Sequence, residues 1–459
     1  MNSQLNCFIT SQNESFIPIQ PIVKANFENW LQQQTPFLQQ WVKSSRFAAE
    51  SGEICLVPNA QGLLATVLVA QTALEDFWAF GDLPNRLPPG KYTCSLLDKK
   101  AAIAWGLGSY CFTRYQTKRN RPAAGPQLFI PEQTNPILIQ EIVGSIYLTR
   151  DLINTPTEDL TTTALADAAL AVAKEYNCRT EIITGAELLK KGFPAIHAVG
   201  RGSIHPPCLV DFRWGKSTDP LVCIVGKGIC FDSGGLNIKS PEGMRLMKKD
   251  MAGAAHALGL ARLIFSMKLP LQLRVLLPIA ENMISGDSYK PGDIIKTRSG
   301  LTVEITNTDA EGRVVMSDAL TAAVEDNPKL LLDFASLTGA ARIAVGPDIA
   351  AFFTSHEPLA EGMRAAAEQT GDAVWRLPLH QSYERYLKSE IADICNASSG
   401  PYAGAITAAL FLKQFVPSKI PWGHFDVSAW NFDRLPGRPV GAEANGLRTV
   451  YSYLENFFM

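Results

Sequence analysis

From about residue 156 onward the chain alternates compact apolar runs with amphipathic stretches. The runs are "PLVCIVG" (220–226), "LQLRVLLPIA" (271–280), "KLLLDFAS" (329–336) and "WGHFDVSAW" (422–430). Each is short and nearly continuous in apolar residues, which predicts a strand covered on both faces. Between them, "LTTTALADAALAVAKEYN" (160–177), "DMAGAAHALGLARLIFSM" (250–267), "DALTAAVEDN" (318–327) and "AITAALFLKQFV" (405–416) predict helices. The alternation predicts an α/β domain with a mostly parallel central sheet flanked by helices. In such sheets ligands gather beyond the carboxyl ends of the strands. The residues expected there are Gly226-Lys227, Glu281-Asn282 and Leu337-Thr338-Gly339.

Upstream the pattern is weaker. Residues 1–118 hold short apolar runs such as "GLLATVLVA" and "AAIAWGLGSYCFTRY", broken by "LPNRLPPGKY". They predict a smaller N-terminal α/β domain. "RNRPAAGPQLFIPEQTNP" (119–136) is rich in Pro, Gly and polar residues and marks a boundary. "ILIQEIVGSIYLTRDLINTP" then has apolar positions at helical spacing and stops before Pro156. The expected organisation is an N-terminal domain over 1–135, a linker helix over 136–155 and the larger domain over 156–459.

Composition narrows the classes. Among 459 residues, Lys plus Arg (42) nearly balance Asp plus Glu (44), for a net charge of -2. That leaves no nucleic-acid footprint, and the basic stretch "TKRNRP" (117–122) reads as a solvated linker. The nine cysteines form no Cys-x-x-Cys pair and several lie in apolar runs, as expected of buried thiols in a reducing compartment. There is no basic, then apolar, leader at the N-terminus and no run of eighteen apolar residues. The expectation is a soluble, cytoplasmic protein with no membrane span.

Two segments carry candidate chemistry. "VGKGICFDSGGLNIKSPEGMRLMKKDMAGAA" (225–255) places Lys227, Asp232, Lys239 and Asp250 between a strand end and a small-residue helix. "NTDAEGRVVMSDAL" (307–320) places Asp309, Glu311 and Arg313 beside an otherwise small or apolar stretch. The "GKG" is no phosphate loop, because Lys227 is followed by Gly and Ile and the helix starts far downstream. Four acids from segments flanking neighbouring strands cannot be buried together cheaply, since desolvating each costs several kcal/mol. Lysines and an arginine offset part of this, and divalent cations would offset more. A carboxylate set without histidine suits Mn²⁺, Mg²⁺ or Zn²⁺. Taken singly the residues have plain readings: Asp-x-Glu as a solvated loop, Lys227 as surface, the Gly pair as a turn. Met244, Met247 and Met251 read as core filler, and His424 as a satisfied core histidine. Only their joint occurrence points to a site.

These stretches carry a family resemblance. "NTDAEGR", "GKGICFDSGGLNIK", "MKKDMAGAA", "ENMISGDSYKPGDIIKTRSG" and "DFASLTGA" resemble, in order, segments of the leucyl aminopeptidase (cytosol aminopeptidase) family of two-metal aminopeptidases. The resemblance covers roughly 140–459 and is weak over 1–118. It implies that Lys227, Asp232, Asp250 and Glu311 hold one metal. Asp232, Asp309 and Glu311, with the main-chain carbonyl of Asp309, would hold the other, each ion being Mn²⁺ or Zn²⁺. It implies that Lys239 polarises the carbonyl of a peptide substrate and that Arg313 holds bicarbonate as general base. Met247, Ser336 and the main chain near Leu337 would meet the substrate, and Gly312 would let a turn bring Asp309, Glu311 and Arg313 into one pocket. A homohexamer is implied as well. Ser336 stands where the family often has Thr. "HFDVSAWNF" replaces the usual "DIAG" pattern and puts Ser428, Trp430 and Asn431 near the pocket, leaving the preferred N-terminal residue open. A non-catalytic scaffold would be expected to lack one of these ligand residues, and none is missing. A two-metal phosphoesterase would need His-rich ligands or a phosphate loop.

Overall fold

The computed structural model describes residues 5–11, 14–73, 76–117, 125–398 and 400–458. Most of "TKRNRP", and the start of the Pro/Gly boundary, lie outside them. The chain divides into two compact units, Met1–Tyr147 with Asp433–Val440, and Leu148–Phe432 with Gly441–Met459.

The first unit is built on a six-stranded sheet of order β1-β6-β5-β2-β4-β3. Its strands are β1 (Phe8–Ile9), β2 (Ile17–Val23), β3 (Ile54–Pro58), β4 (Leu64–Gln71), β5 (Lys91–Thr93) and β6 (Gln127–Phe129). All pairs are parallel except the β3–β4 pair. Its helices are α1 (Phe27–Gln32), α2 (Pro36–Ser44), α3 (Leu83–Arg86) and α4 (Lys99–Gly108). The run "AAIAWGLG" is buried along α4, with Trp105 fully enclosed. Helix α5 (Pro136–Asn154) contains the division point between the units.

The second unit carries a nine-stranded sheet of order β16-β15-β18-β14-β9-β11-β8-β7, with β10 added on β11. The strands are β7 (Arg179–Thr184), β8 (Cys208–Trp214), β9 (Leu221–Gly226), β10 (Gly228–Asp232) and β11 (Gln272–Asn282). They continue with β14 (Leu330–Ala335), β15 (Ala350–Phe353), β16 (Val374–Arg376) and β18 (Trp422–Asp426). The four strands read from continuous apolar runs, β18-β14-β9-β11, form the parallel centre. Antiparallel pairing appears toward the margins, at β15–β18, β11–β8 and β8–β7. The margin strand β7 is mostly exposed, as an antiparallel strand at the edge of a sheet can be. Smaller sheets join β12 (Ile294–Lys296), β13 (Thr302–Glu304) and β17 (Ile394–Cys395), and β19 (Trp430–Asn431) with β20 (Gly441–Ala442).

The helices of this unit are α6 (Thr162–Glu175), α7 (Glu187–Lys190), α8 (Pro194–Gly200), α9 (Pro241–Met244) and α10 (Ala252–Ser266). Then come α11 (Glu311–Val324), α12 (Gly339–Val345), α13 (Glu357–Thr370), α14 (Gly404–Lys413) and α15 (Leu447–Phe458). Alternation along the central strands decides which helix each side chain meets. Cys223, Val225 and Leu331 pack with α11 and α14, while Phe334 points the other way and stacks on His256 of α10. The fold is thus mixed α/β, with an N-terminal domain and a larger domain on a mostly parallel sheet. Among the described residues, no helix is long and apolar enough to cross a membrane.

Two local expectations change. The helix expected from Asp318 starts seven residues earlier, at Glu311, so Gly312 lies inside α11 and not in a turn. The helix expected from Asp250 is preceded by a 3-10 turn, Met247–Met251, which carries Asp250.

Candidate metal centre at the carboxyl edge of the sheet

The parallel strands end together. Phe334 is in register with Gly226, and Ala335 with Asp426. Lys227 follows β9, Asp232 closes β10, and Ser336 follows β14. Asp309 sits in a 3-10 turn, Thr308–Ala310, whose start is capped by the Asn307 side chain. Glu311 and Arg313 occupy the first turn of α11. Residues remote in sequence therefore meet because the sheet aligns its strand ends.

Asp232, Asp309 and Glu311 each bring a carboxylate oxygen within 4.8 Å of the others. Asp232 is fixed by hydrogen bonds from Gly234 N and Asn282 Nδ2, both 2.8 Å. Gly234 has φ +86°, and a Cβ there would lie 2.5 Å from Asn237 O, so the loop requires glycine. Lys227 Nζ stands 2.7 Å from Asp250 Oδ2, 3.0 Å from Glu311 Oε1 and 3.2 Å from the Ser336 carbonyl. Lys239 Nζ lies 2.8 Å from Asp232 Oδ2 and also contacts Asp309 Oδ1.

The electrostatics show strain between these charges. Burial, reinforced by Asp232, pushes the Glu311 carboxyl well up and the Asp309 carboxyl up to about 6. Burial raises Asp250 as well, against the pull of Lys227. Burial opposes the charge on Lys227, but Asp250, Glu311 and Asp232 outweigh it and raise its pKa. Lys239 is raised in the same way by Asp232, Glu311 and Asp309. The two ammonium groups leave the acids incompletely compensated. Glu311 Oε2 is buried with no hydrogen-bond partner, and Asp250 Oδ2 and Asp309 Oδ1 meet only lysine ammoniums, outside hydrogen-bond geometry. A convergent carboxylate set with an orphaned buried oxygen fits divalent cations, which accept oxygen donors and cancel the repulsion.

Arg313 extends the site. Its Nη1 donates to the Asn396 carbonyl at 2.8 Å, and its buried Nε has no hydrogen-bond partner. Burial lowers its pKa to about 10. Ser336 Oγ donates to Asp250 Oδ1 (2.9 Å), so this residue braces an acid as well as lining the site. Met247 is half-buried on the turn that carries Asp250. The N–H groups of Leu337 and Thr338 are taken by Asp426 Oδ1 at 2.9 and 3.1 Å. A substrate meeting the main chain at Leu337 would therefore find its carbonyl and not its N–H. His424 is a core histidine bonded through Nδ1 to Asp333 at 2.6 Å.

Several residues here went unread in the sequence. Asn396 Oδ1 accepts from Thr306 N and Asn307 N, while its Nδ2 donates to the Asn307 carbonyl, so it clamps the loop before Asp309. Thr308 accepts from Asn237 N and donates to the Gly234 carbonyl, tying the two acidic segments together. Lone Asn and Thr residues in loops give no periodic or spacing signal, so nothing in the sequence marks them. Gly312 has a role other than the expected one. A Cβ there would lie 2.4 Å from Lys227 Cε and 2.6 Å from Nζ, so glycine leaves room for the lysine against the helix.

A two-unit α/β protein with a carboxylate and lysine cluster at the carboxyl edge of a parallel sheet belongs to the class of metal-type hydrolases. Residues 147–451 match the catalytic domain of the cytosol aminopeptidase family, and residues 17–131 match the M17 aminopeptidase N-terminal domain. A probable cytosol aminopeptidase of Roseiflexus castenholzii is 42% identical over 321 residues, 69% of this chain and 65% of that protein. One from Prochlorococcus marinus is 34% identical over 447 residues, 91% of each. The crystal structure of a cytosol aminopeptidase from Coxiella burnetii superimposes with a TM-score of 0.95 at 49% identity, covering 99% of this chain and 100% of that one. The bottromycin maturation enzyme BotP in complex with Mn gives a TM-score of 0.87 at 30% identity, covering 97% of this chain and 100% of that one. The chain belongs to the cytosol aminopeptidase family, and with it to the leucyl-aminopeptidase-type hydrolases. Membership implies metal-dependent removal of N-terminal residues from peptides.

Proposed function

We propose that this protein removes the first residue of peptides at the cluster described above, with a pair of divalent cations, Mn²⁺ or Zn²⁺, held by Lys227, Asp232, Asp250, Asp309 and Glu311. The observation that carries the reading is the convergence of Asp232, Asp309 and Glu311, with Asp250 joined to them through Lys227 and Glu311 Oε2 left without a partner. When bound, such ions supply Lewis acidity and make water nucleophilic near neutral pH. Lys227 would act as a ligand through its neutral amine, in place of the ion pairs it makes with Asp250 and Glu311. Lys239 reaches the cluster as a cation and polarises the scissile carbonyl, stabilising charge that develops on its oxygen. Arg313 presents its unfilled Nε to a small anion; bicarbonate held there would supply the general base. The free α-amino group of the substrate is selected at the cluster, which excludes internal peptide bonds. The name of its relatives, cytosol aminopeptidase, supports action in the cytoplasm, and the homohexamer rests on the family resemblance alone.

The test is an assay on aminoacyl amides with and without added Mn²⁺ or Zn²⁺, beside N-acetylated controls, with metal content measured in parallel. We expect activity that depends on metal and on the free amine. Asp309→Asn should lose at least about a hundredfold in kcat/KM, and its metal affinity should fall about 10- to 100-fold by calorimetry. Equal rates on acetylated and free substrates would sink the reading. So would an Asp309→Asn protein with full rate. A monomer in light scattering would remove the hexamer.

A further inference from the structure

Three cations stand beside the acids without a carboxylate of their own. Lys248 and Lys249 precede Asp250 on its 3-10 turn, and Arg342 lies on α12. Lys248 Nζ donates to the Asn154 carbonyl at 2.6 Å and lies 5.6 Å from the Trp430 ring centre. Arg342 lies 5.7 Å from the Phe432 ring centre. Lys249 is only 6% exposed, and its ammonium makes a single hydrogen bond, 2.8 Å to the Ser428 carbonyl. None of the three forms an ion pair among the described residues. The nearest acids are committed elsewhere: Asp250 to Lys227 and Ser336, Asp426 to Leu337, Thr338 and the Thr338 hydroxyl. Ser428 Oγ, also buried, has no partner.

A buried ammonium with one neutral acceptor, next to a buried hydroxyl with none, is costly unless something completes it. Native proteins seldom leave such donors unfilled, and a functional explanation is due when they do. The place of these donors supplies one. The turn 247–250, the segment 336–342 and the segment 426–431 form one wall, tied by Ser336 to Asp250, Asp426 to Leu337 and Lys249 to Ser428. A substrate whose amine and carbonyl sit at the acid cluster has its first side chain one bond from both. A wall next to the cluster is therefore placed to meet that side chain, and Lys249 adjoins Asp250 on its turn.

The geometry points to a pocket built for a carboxylate: the enzyme prefers peptides that begin with glutamate or aspartate. This rests on the aminopeptidase reading and specifies its substrate class. Lys249 is the specificity-determining residue. Ser428 Oγ is a second donor, and Lys248 and Arg342 keep the wall positive. A leucine side chain there would leave the donors unfilled and gain only apolar contact with Met247 and Trp430.

The experiment compares kcat/KM for glutamyl, aspartyl, glutaminyl and leucyl amides of one fluorogenic amine, using the full manganese-loaded protein. The wild type should favour the glutamyl or aspartyl substrate over the leucyl one by about tenfold or more, the scale at which buried polar partners discriminate. Lys249→Met should lower the glutamyl-to-leucyl ratio by about tenfold or more. It should also lower the glutamyl-to-glutaminyl ratio, since glutamine shares the carbonyl but not the charge. Ser428→Ala should lower the first ratio by about three- to tenfold, and it decides the matter should Lys249→Met not fold. A wild-type ratio below one, with leucyl substrate turned over, overturns the acidic pocket and leaves the peptidase reading standing. Ratios unmoved by both substitutions also overturn it. Failure on every amide would overturn the peptidase reading itself.

Discussion

At the residue scale, the contact between Gly312 and Lys227 joins two segments that the sequence presents separately. The acids were legible because four of them in two short stretches beside apolar runs are hard to explain as surface. The reason for Gly312 was not, since glycine in "DAEGR" reads as a turn, whereas the chain needs the missing Cβ for Lys227. Gly312→Ala would place a methyl 2.6 Å from Lys227 Nζ, inside the lysine's present position. The flexible lysine can retreat, so the fold should survive with unchanged circular dichroism. The cluster should not: affinity for Mn²⁺, titrated by calorimetry, should fall about 10- to 100-fold. Unchanged affinity would show that Lys227 has no part in holding metal. Gly253 is the opposite case. A Cβ there would meet Phe334 O at 2.0 Å, backbone that cannot retreat, so Gly253→Ala should fail to accumulate as soluble protein.

At the element scale, α11 ties the site to the scaffold. Its first turn carries Glu311 and Arg313, and two turns later Asp318 Oδ2 accepts from Ala195 N and Ile196 N at the start of α8, while Oδ1 accepts from Arg298 N. Periodicity found the later part of this helix. It missed the first seven residues because their charged side chains point into a site and break the apolar spacing. Burial pushes the Asp318 carboxyl up to about 7, against the pull of those three N–H donors. In the unfolded chain the group ionises near ~4. Between those values the native state keeps a proton the unfolded state has lost. Its contribution is therefore complete below about pH 4 and declines as pH rises toward 7. Calorimetry of metal-free Asp318→Asn should show a flatter dependence of Tm on pH across this range. It should also show a loss of about 1–3 kcal/mol at the acidic end, where an acceptor is missing. A slope equal to wild type would refute the assignment. Asn396 is the corresponding brace for the Asp309 loop. Asn396→Ala should cost about 1–3 kcal/mol in urea unfolding and weaken metal binding together.

At the scale of the whole molecule, the central four strands and their order along the chain were readable because parallel strands buried on both faces leave continuous apolar runs. The margin strands were not, because β15 and β16 are only four and three residues long and β7 is mostly exposed, so none leaves a long apolar run. Of the wall residues, Ser336, Leu337, Ser428, Trp430 and Asn431 were legible through the family resemblance, whereas Lys249 and Asp426 were not, because they act through single contacts that have no period. If the buried acids are held apart by repulsion until cations arrive, metal should stabilise the entire larger domain. Free metal at a hundredfold its Kd adds about 2.7 kcal/mol. Chelator should therefore lower Tm by a few degrees, and no shift would argue against binding at the cluster. The sheet order carries one more consequence, for biosynthesis. Strand β18 lies between β14 and β15 yet is translated long after both, and Asp426 within it holds Leu337 and Thr338 in place. A ribosome that has passed the acids but not residue 426 carries a chain in which no strand joins β15 to β14 and the N–H groups of Leu337 and Thr338 lack their acceptor. A chain cut short before residue 426 is therefore expected to release no N-terminal residue from peptides, which an assay of the truncated protein checks.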